Sequence, residues 1–321
     1  MALALCLGIV SVNAETVHIT TPSTSLVLDA EKGQDAKFLY YGNKIGAEEI
    51  EAMKSSGVSW NKAYPSYGMS TVAETALSAV HSDGNMTLDL AVEDVATKKD
   101  KDSEVTTVTL KDKYYPFTVK LNYRTYPGED VIETWTEISH NEKGKVELTQ
   151  FASGYLPIRY GDVWLSSLYG SWANEGRVEE APLLHGMKVI KNKDGARNSH
   201  TSHAEVMLSL DGKAKENSGR VIGAALAYSG NYKLRFDTDD SNYHHFFAGI
   251  NEENSEYHLP KGEVFVTPEL ALTYSEEGLS GVSRNFHKWG RNHKLAHGDK
   301  ERKILLLSLI HISEPTRRTP I

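Results

Sequence analysis

Residues 117–123, FTVKLNY, alternate without a break: Phe117, Val119, Leu121 and Tyr123 fall on one face, Thr118, Lys120 and Asn122 on the other. A two-residue period is the pattern of a strand with one buried face and one wet face. It rules out an amphipathic helix there, which needs apolar residues three and four apart. MTLDLAV from Met86 repeats the pattern, and EVTTVTL, DVIETWTEI and KVELTQF follow at short intervals. The stretches between them, KDKYYP, YPGED and NEKGK, carry turn-forming residues. Many short strands spaced by turns predict a large antiparallel sandwich.

The same pattern continues downstream. RVIGAALAYSGNYKLRF predicts two strands joined as a hairpin at Ser229-Gly230-Asn231. GEVFVTPELALTY predicts another strand, with Pro268 marking an edge or a bulge. Two stretches break the alternation. GAEEIEAMKSS (residues 46–56) predicts a short surface helix. GLSGVSRNFHKWGRNHKL predicts an amphipathic one, with Leu279, Val282, Phe286 and Trp289 on a single stripe and Arg284, Lys288 and Arg291 off it. The expected fold class is therefore all-β, with a helix late in the chain.

Composition narrows the partners. The chain has 321 residues and a net charge of −8, with no basic block. That disfavours nucleic acid and an anionic membrane surface as partners. Sixteen Tyr and five Trp are enough to line a sugar surface, but they are equally the residues of sheet cores, and the core reading is preferred. The only cysteine, Cys6, lies in MALALCLGIVSVNA. This apolar run, with small residues before Ala14, fits a signal peptide over residues 1–14, although it lacks a charged start. A secreted or periplasmic mature chain would then have no thiol and no disulfide. No other run reaches membrane-spanning length.

Chemistry-bearing motifs are sparse. His200 and His203 are three apart and His244 and His245 are adjacent, but a zinc centre needs three or four converging ligands. No H-E-x-x-H, G-x-S-x-G or Gly-rich phosphate loop occurs. No metal and no cofactor are expected. Acidic residues are plentiful, yet spacing within strands does not identify a glycosidase pair. SLYGSWANEGR (residues 167–177) places Trp172, Glu175 and Arg177 together. By themselves these residues fit an acid–base site, a sugar-binding edge or a packed turn.

A set of ordered motifs goes further. YPSYG from Tyr64, GSWANEGR from Gly170, APLLHG from Ala181, GARNSHTSH from Gly195, ALAYSGNY from Ala225 and AGINEENSEYHLPKGEVFVTPELALTYSEEGLSGVSRNFHKW from Ala248 occur in sequence. Together they resemble glycoside hydrolase family 36, the α-galactosidases. The resemblance implies a β-supersandwich over residues 15–278. A linker helix and the start of a first barrel strand then cover residues 279–306, where KERKILL is the last matching stretch. It also implies a catalytic (β/α)8 barrel and a retaining hydrolysis of terminal α-galactosides by two carboxylates. Neither the K-W-D-x-N strand nor the Gly-rich loop that would carry those carboxylates occurs in this sequence. No catalytic residue is therefore expected here, and the chain alone is expected to be inactive. α-N-acetylgalactosaminide hydrolysis by the same fold, or a free-standing carbohydrate-binding sandwich, are the alternatives.

The resemblance also implies partners: the chain's own barrel, an α-galactoside and a homo-oligomer. In oligomeric members a segment before the Y-P-x-Y-G motif reaches a neighbour's active-site mouth. Here that region offers Trp60 and Lys62 but no Asp–Arg pair. Trp60 is the one candidate substrate-binding residue, against a reading as a core or interface side chain. In the accessory sandwich, Trp172 is expected to pack and Glu175 and Arg177 to form an ion pair or a hydrogen-bonded turn. LSLIHISEPTRRTPI (residues 307–321) has no periodicity. It resembles the conceptual translation of a transposase sequencing adapter and is expected to be a non-native tail.

Overall fold

The computed structural model describes residues 10–11, 16–58, 61–68, 74–159, 161–197 and 201–301. Trp60, the Ser199-His200 pair and the tail from residue 302 lie outside these. So does the expected leader, except Val10–Ser11, which pairs with Thr97 and Ala96. Among the described residues the strands form antiparallel sheets of eleven, six and three.

The largest sheet runs in the order Val10–Ser11, Leu90–Lys99, Glu104–Asp112, Phe117–Thr125, Val131–His140, Leu270–Ser275, Val221–Leu226, Ser202–Ser209, Trp164–Tyr169 and Arg177–Pro182. The second runs Gly186–Lys191, Tyr232–Thr238, His244–Ile250, Val146–Ile158 and Tyr257–Leu259, with Leu77–Val80 also on Val146–Ile158. Phe117, Val119, Leu121 and Tyr123 all enter one core cluster with Leu148, Tyr232, Phe236 and Phe246. The alternation of this strand has one departure. Asn122 is also buried, because its carboxamide accepts from Thr107 Oγ1 at 2.7 Å and donates to Glu137 Oε1 at 3.4 Å. A buried amide is tolerated when both its ends are paired.

Three expectations change. MTLDLAV becomes strand only from Leu90. Before that, the backbone of Thr87, Leu88 and Asp89 donates to Asn85 Oδ1, the Tyr67 carbonyl and Asp112 Oδ2. Side chains and a loop thus take the bonds that a ladder would have used. RVIGAALAYSGNYKLRF is two strands but not a hairpin. Val221–Leu226 has ladder partners on both sides, so no edge is left for Tyr232–Thr238, which crosses to the second sheet between Gly186–Lys191 and His244–Ile250. At Pro268 the chain breaks into Val264–Val266 and Leu270–Ser275, both paired with Val131–His140. Proline has no N–H to give a ladder. The two helices form as expected, at Ala47–Ser55 and Gly278–Trp289.

Buried polar groups also pin the sandwich. His81 and Glu142, both buried, meet at 2.7 Å, and Ser82 N–H donates to the other Glu142 oxygen at 2.9 Å. Burial pushes the Glu142 carboxyl up, but the bonds from His81 and Ser82 outweigh it and hold it below its ordinary value of 4.5. A carboxyl depressed in the folded state stabilises above its ordinary value and loses that contribution as pH falls through the folded one. Glu142→Gln should cost about 1–3 kcal/mol at neutral pH. It should also lose less stability than the parent chain between pH 6 and pH 3, as read from urea midpoints.

Candidate functional site

The late helix Gly278–Trp289 lies across the large sheet, and small residues let it come close. Gly223, in the centre of Val221–Leu226, faces Val282 and Phe286 with no room for a Cβ. Gly278 has φ +69°, a left-handed conformation suited to glycine. The next two helical N–H groups donate to the carbonyls of Lys215 and Glu216, which satisfies donors that a helix start leaves open. The helix is therefore fixed at its N-terminal end by the 215–218 turn.

The far end is fixed by charge. A wider, π-type turn, Gly290–Lys294, follows the helix. Its Lys294 Nζ reaches the buried Glu133, and Glu269 Oε2 at 2.9 Å. Arg124 joins the same carboxylates at 2.9 and 2.5 Å. Asn292 donates to Glu129 at 2.7 Å, and Lys288 to the Gly128 carbonyl. Burial pulls Lys294 down, but its bonds to Glu133 and Glu269 outweigh that and hold it above its ordinary value. Burial likewise raises Glu269, and Lys294 and Arg124 override it to keep the carboxyl low.

Between these anchors the helix is only half used. Val282 is buried against the sheet at Gly223, while Gly278 and Gly281 are buried beside the 215–218 turn and Ser275. Phe286 also faces the sheet at Gly223, and with Leu279 and Trp289, the rest of the apolar stripe, it lines a groove of about 500 Å³. The other wall is the sheet: Leu168 and Val178 from the hairpin of Trp164–Tyr169 and Arg177–Pro182, with Val206, Met207 and Ala225 beside them. Glu180 and Glu205 also line it. The indole N–H of Trp289 is buried with no acceptor among the described residues. The hairpin strand Arg177–Pro182 ends the large sheet, and its outer edge has no ladder partner among the described residues. Sequence reading identified the stripe but not the groove. The stripe gave no sign of it, since residues 279, 282, 286 and 289 span an arc of only about 80° at 100° per residue, no wider than an ordinary buried face.

SLYGSWANEGR is the tip of that hairpin. Trp172 is 84% exposed, so the expected packing role is corrected. It stands in the turn of residues 170–176, which joins the inner strand Trp164–Tyr169 to the last strand of the sheet, Arg177–Pro182. Glu175 and Arg177 do make a hydrogen-bonded turn, but with separate partners rather than as an ion pair. Glu175 accepts from the Ala173 N–H at 3.0 Å, and Arg177 Nε donates to Asn174 at 2.7 Å. Lys62 pairs with Asp35 at 3.1 Å.

The histidines do not converge. His203 lies 3.4 Å from Glu205. His244 and His245 are consecutive in one strand and so face opposite ways. His244 meets Thr238 at 2.7 Å and His245 meets Tyr155 at 2.8 Å. The contacts of His244 and His245 are buried.

Comparison with known proteins gives a consistent match. The model of the glycosyl hydrolase family 36 N-terminal domain matches residues 34–260, well over half of the chain. The bifunctional alpha-galactosidase/sucrose kinase AgaSK of Mediterraneibacter gnavus is 29% identical over 244 residues, covering 72% of this chain and 26% of that protein. Alpha-galactosidase Mel36A of Lactobacillus acidophilus is 33% identical over 191 residues, covering 60% and 26%. Among solved structures, the galactosidase domain of AgaSK superposes with a TM-score of 0.82 at 25% identity, covering 92% of this chain and 46% of that one. Alpha-galactosidase AgaA of Geobacillus stearothermophilus gives 0.80 at 23%, covering 90% and 45%, a likeness of fold. The chain thus spans about a quarter of the length of these curated relatives. Motif order, sheet topology and family model agree, and the chain belongs to glycoside hydrolase family 36.

Proposed function

We infer that this chain is the scaffold domain of an α-galactosidase, and that the groove beside Gly278–Trp289 seats the catalytic barrel. The observation that carries this is the half-used helix. Leu279, Phe286 and Trp289 are only half-buried among the described residues and line the groove, and a solvent-facing apolar groove of that kind marks a contact. The helix and the π-type turn that follows it are also the last elements of the described chain. Hydrolysis of terminal α-galactosides by two carboxylates then belongs to the barrel. The sandwich contributes position, and in an oligomer it contributes a surface toward neighbouring copies.

Two measurements test the reading. The 321-residue chain should release no nitrophenol from p-nitrophenyl α-galactoside, and release above the buffer rate would overturn the assignment of chemistry elsewhere. It should bind a hydrophobic dye and self-associate with rising concentration. Phe286→Glu should reduce both several-fold, because a charge in the groove opposes apolar contact. A monodisperse parent chain that binds no dye would sink the docking face. A second reading rests on Trp172: an exposed indole at a hairpin tip is a platform on which a sugar ring can stack. Saturable galactoside binding by calorimetry, lost in Trp172→Ala, would favour it.

A further inference from the structure

Three metal-ligating side chains meet on the smaller sheet, away from the groove. Glu147 and His258 are directly opposite in the antiparallel pair of Val146–Ile158 with Tyr257–Leu259. Opposite residues project from the same face, with Cβ atoms about 4.5–5.5 Å apart. Glu256 precedes His258 by two residues, the spacing that returns a side chain to that face. One ligand atom from each of Glu147, Glu256 and His258 lies within 4.8 Å of the others. His258 Nε2 is 3.6 Å from Glu256 Oε2.

Nearby carboxylates are matched by cations: Glu252 by Lys233, and Glu253 by Lys191 and Lys193. Among the described residues, Glu147 and Glu256 have no lysine or arginine at ion-pair distance, and His258 is the only ion-pair partner of Glu256. Two carboxylates held this close repel each other unless a cation lies between them.

We propose that Glu147, Glu256 and His258 form a binding site for a first-row divalent transition metal, with Zn²⁺ the best match. One imidazole and two carboxylates are donors that zinc accepts, with the fourth position left to water. Calcium and magnesium want six or more oxygens and are poorly served. Tetrahedral bonds of about 2.0–2.2 Å put ligand atoms roughly 3.4 Å apart. Closing from 4.8 Å therefore needs only side-chain rotation, which the exposed Glu256 and His258 and the half-buried Glu147 permit. The metal would clip Tyr257–Leu259, a three-residue strand at the end of its sheet, to the long strand Val146–Ile158.

The test is calorimetric titration of the 321-residue chain with ZnCl₂ at pH 7.5, beside thermal melts with and without zinc. One saturable site is expected, together with a zinc-dependent rise in melting temperature. Affinity should fall at least about tenfold in His258→Ala and in Glu147→Gln, and stay unchanged in His203→Ala. It should also weaken as pH falls, because protons compete with the metal for its ligands. Unchanged affinity in His258→Ala, or equal affinity for Mg²⁺, would overturn the proposal. Both substitutions lie on the surface of the sheet and leave the core intact, so loss of binding is separable from loss of fold by the melt without metal.

Discussion

Replacing both Arg124 and Lys294 by methionine is expected to destabilise the chain by about 3–5 kcal/mol, and by more than the two single changes added together. The reason is Glu133, which is 1% exposed. Its carboxylate is held by Arg124 across the ladder, by Lys294 from the turn after the helix, and by the Tyr126 hydroxyl at 2.5 Å. Either cation alone still offsets the buried charge. Removing both leaves it with one neutral donor, and an uncompensated buried charge is far costlier than a lost surface pair. Adding Glu133→Gln to the double variant should recover part of the loss, because the amide has similar shape and no charge. Urea midpoints of the parent chain and the four variants decide the matter, and additive losses with no recovery would contradict it. The pH window follows from the two shifts. Glu269 is held low, so its contribution is present above its ordinary 4.5 and is lost as pH falls through the folded value. Lys294 is held high, so its contribution is present below its ordinary 10.5 and is lost as pH rises through the folded value. The network should therefore stabilise across the whole range from about 4.5 to 10.5, and the double variant should show a flatter pH profile at both ends.

The network also shows what a sequence can and cannot disclose. The strand at Phe117 was legible because one face is wet and the other dry, and a two-residue period records that directly. The helix was legible for the same kind of reason, since Leu279, Val282, Phe286 and Trp289 keep a helical spacing. Partner choice was not. Nothing local in RVIGAALAYSGNYKLRF tells a hairpin from a crossover, because the decision is made by Ser202–Ser209 and Leu270–Ser275, which occupy both edges of Val221–Leu226. The meeting of Arg124, Glu133, Glu269 and Lys294 is equally non-local, with 145 positions between Arg124 and Glu269. Trp172 was misread because packing is the common fate of a tryptophan, and no feature of SLYGSWANEGR shows that its turn stands at the open edge of a sheet. The groove falls between the two cases. Its helical wall is written in the stripe, whereas its sheet wall is assembled from four strands brought together only by the fold.

Gly223→Val should lift the late helix from the sheet and open it to protease. The backbone at Gly223 is ordinary strand, paired with Met207 on one side and Thr273 on the other, so glycine is needed there for space and not for conformation. A Cβ at this position would lie 2.4 Å from a Val282 methyl and 2.8 Å from the Phe286 ring. Atoms do not approach that closely, so either the helix moves outward or the strand bends. The strand is hydrogen-bonded along both edges, whereas the middle of the helix is held by packing and a few side-chain bonds, chiefly Asn285 donating to Thr273 Oγ1 at 2.9 Å, so the helix should yield. Overpacking of this kind costs about 1–3 kcal/mol. Valine's strand propensity offsets little of it, since that preference reflects a side chain with room to pack. The anchors at Gly278 and Lys294 should keep the helix tethered while its centre loosens. Trypsin should therefore cut sooner at Arg284 and Lys288, and amides of residues 282–289 should exchange faster, while the strands stay protected. Val282→Ala removes the closer of the two obstructing groups. Combined with Gly223→Val it should restore protection, although Val282→Ala alone leaves a small void and weakens the seat. Opposite signs in the single and the combined background are what a shared contact predicts and two independent lesions do not. If the valine variant is cut no faster than the parent chain, the helix is not held by this contact, and the groove beside it cannot owe its shape to the seat at Gly223.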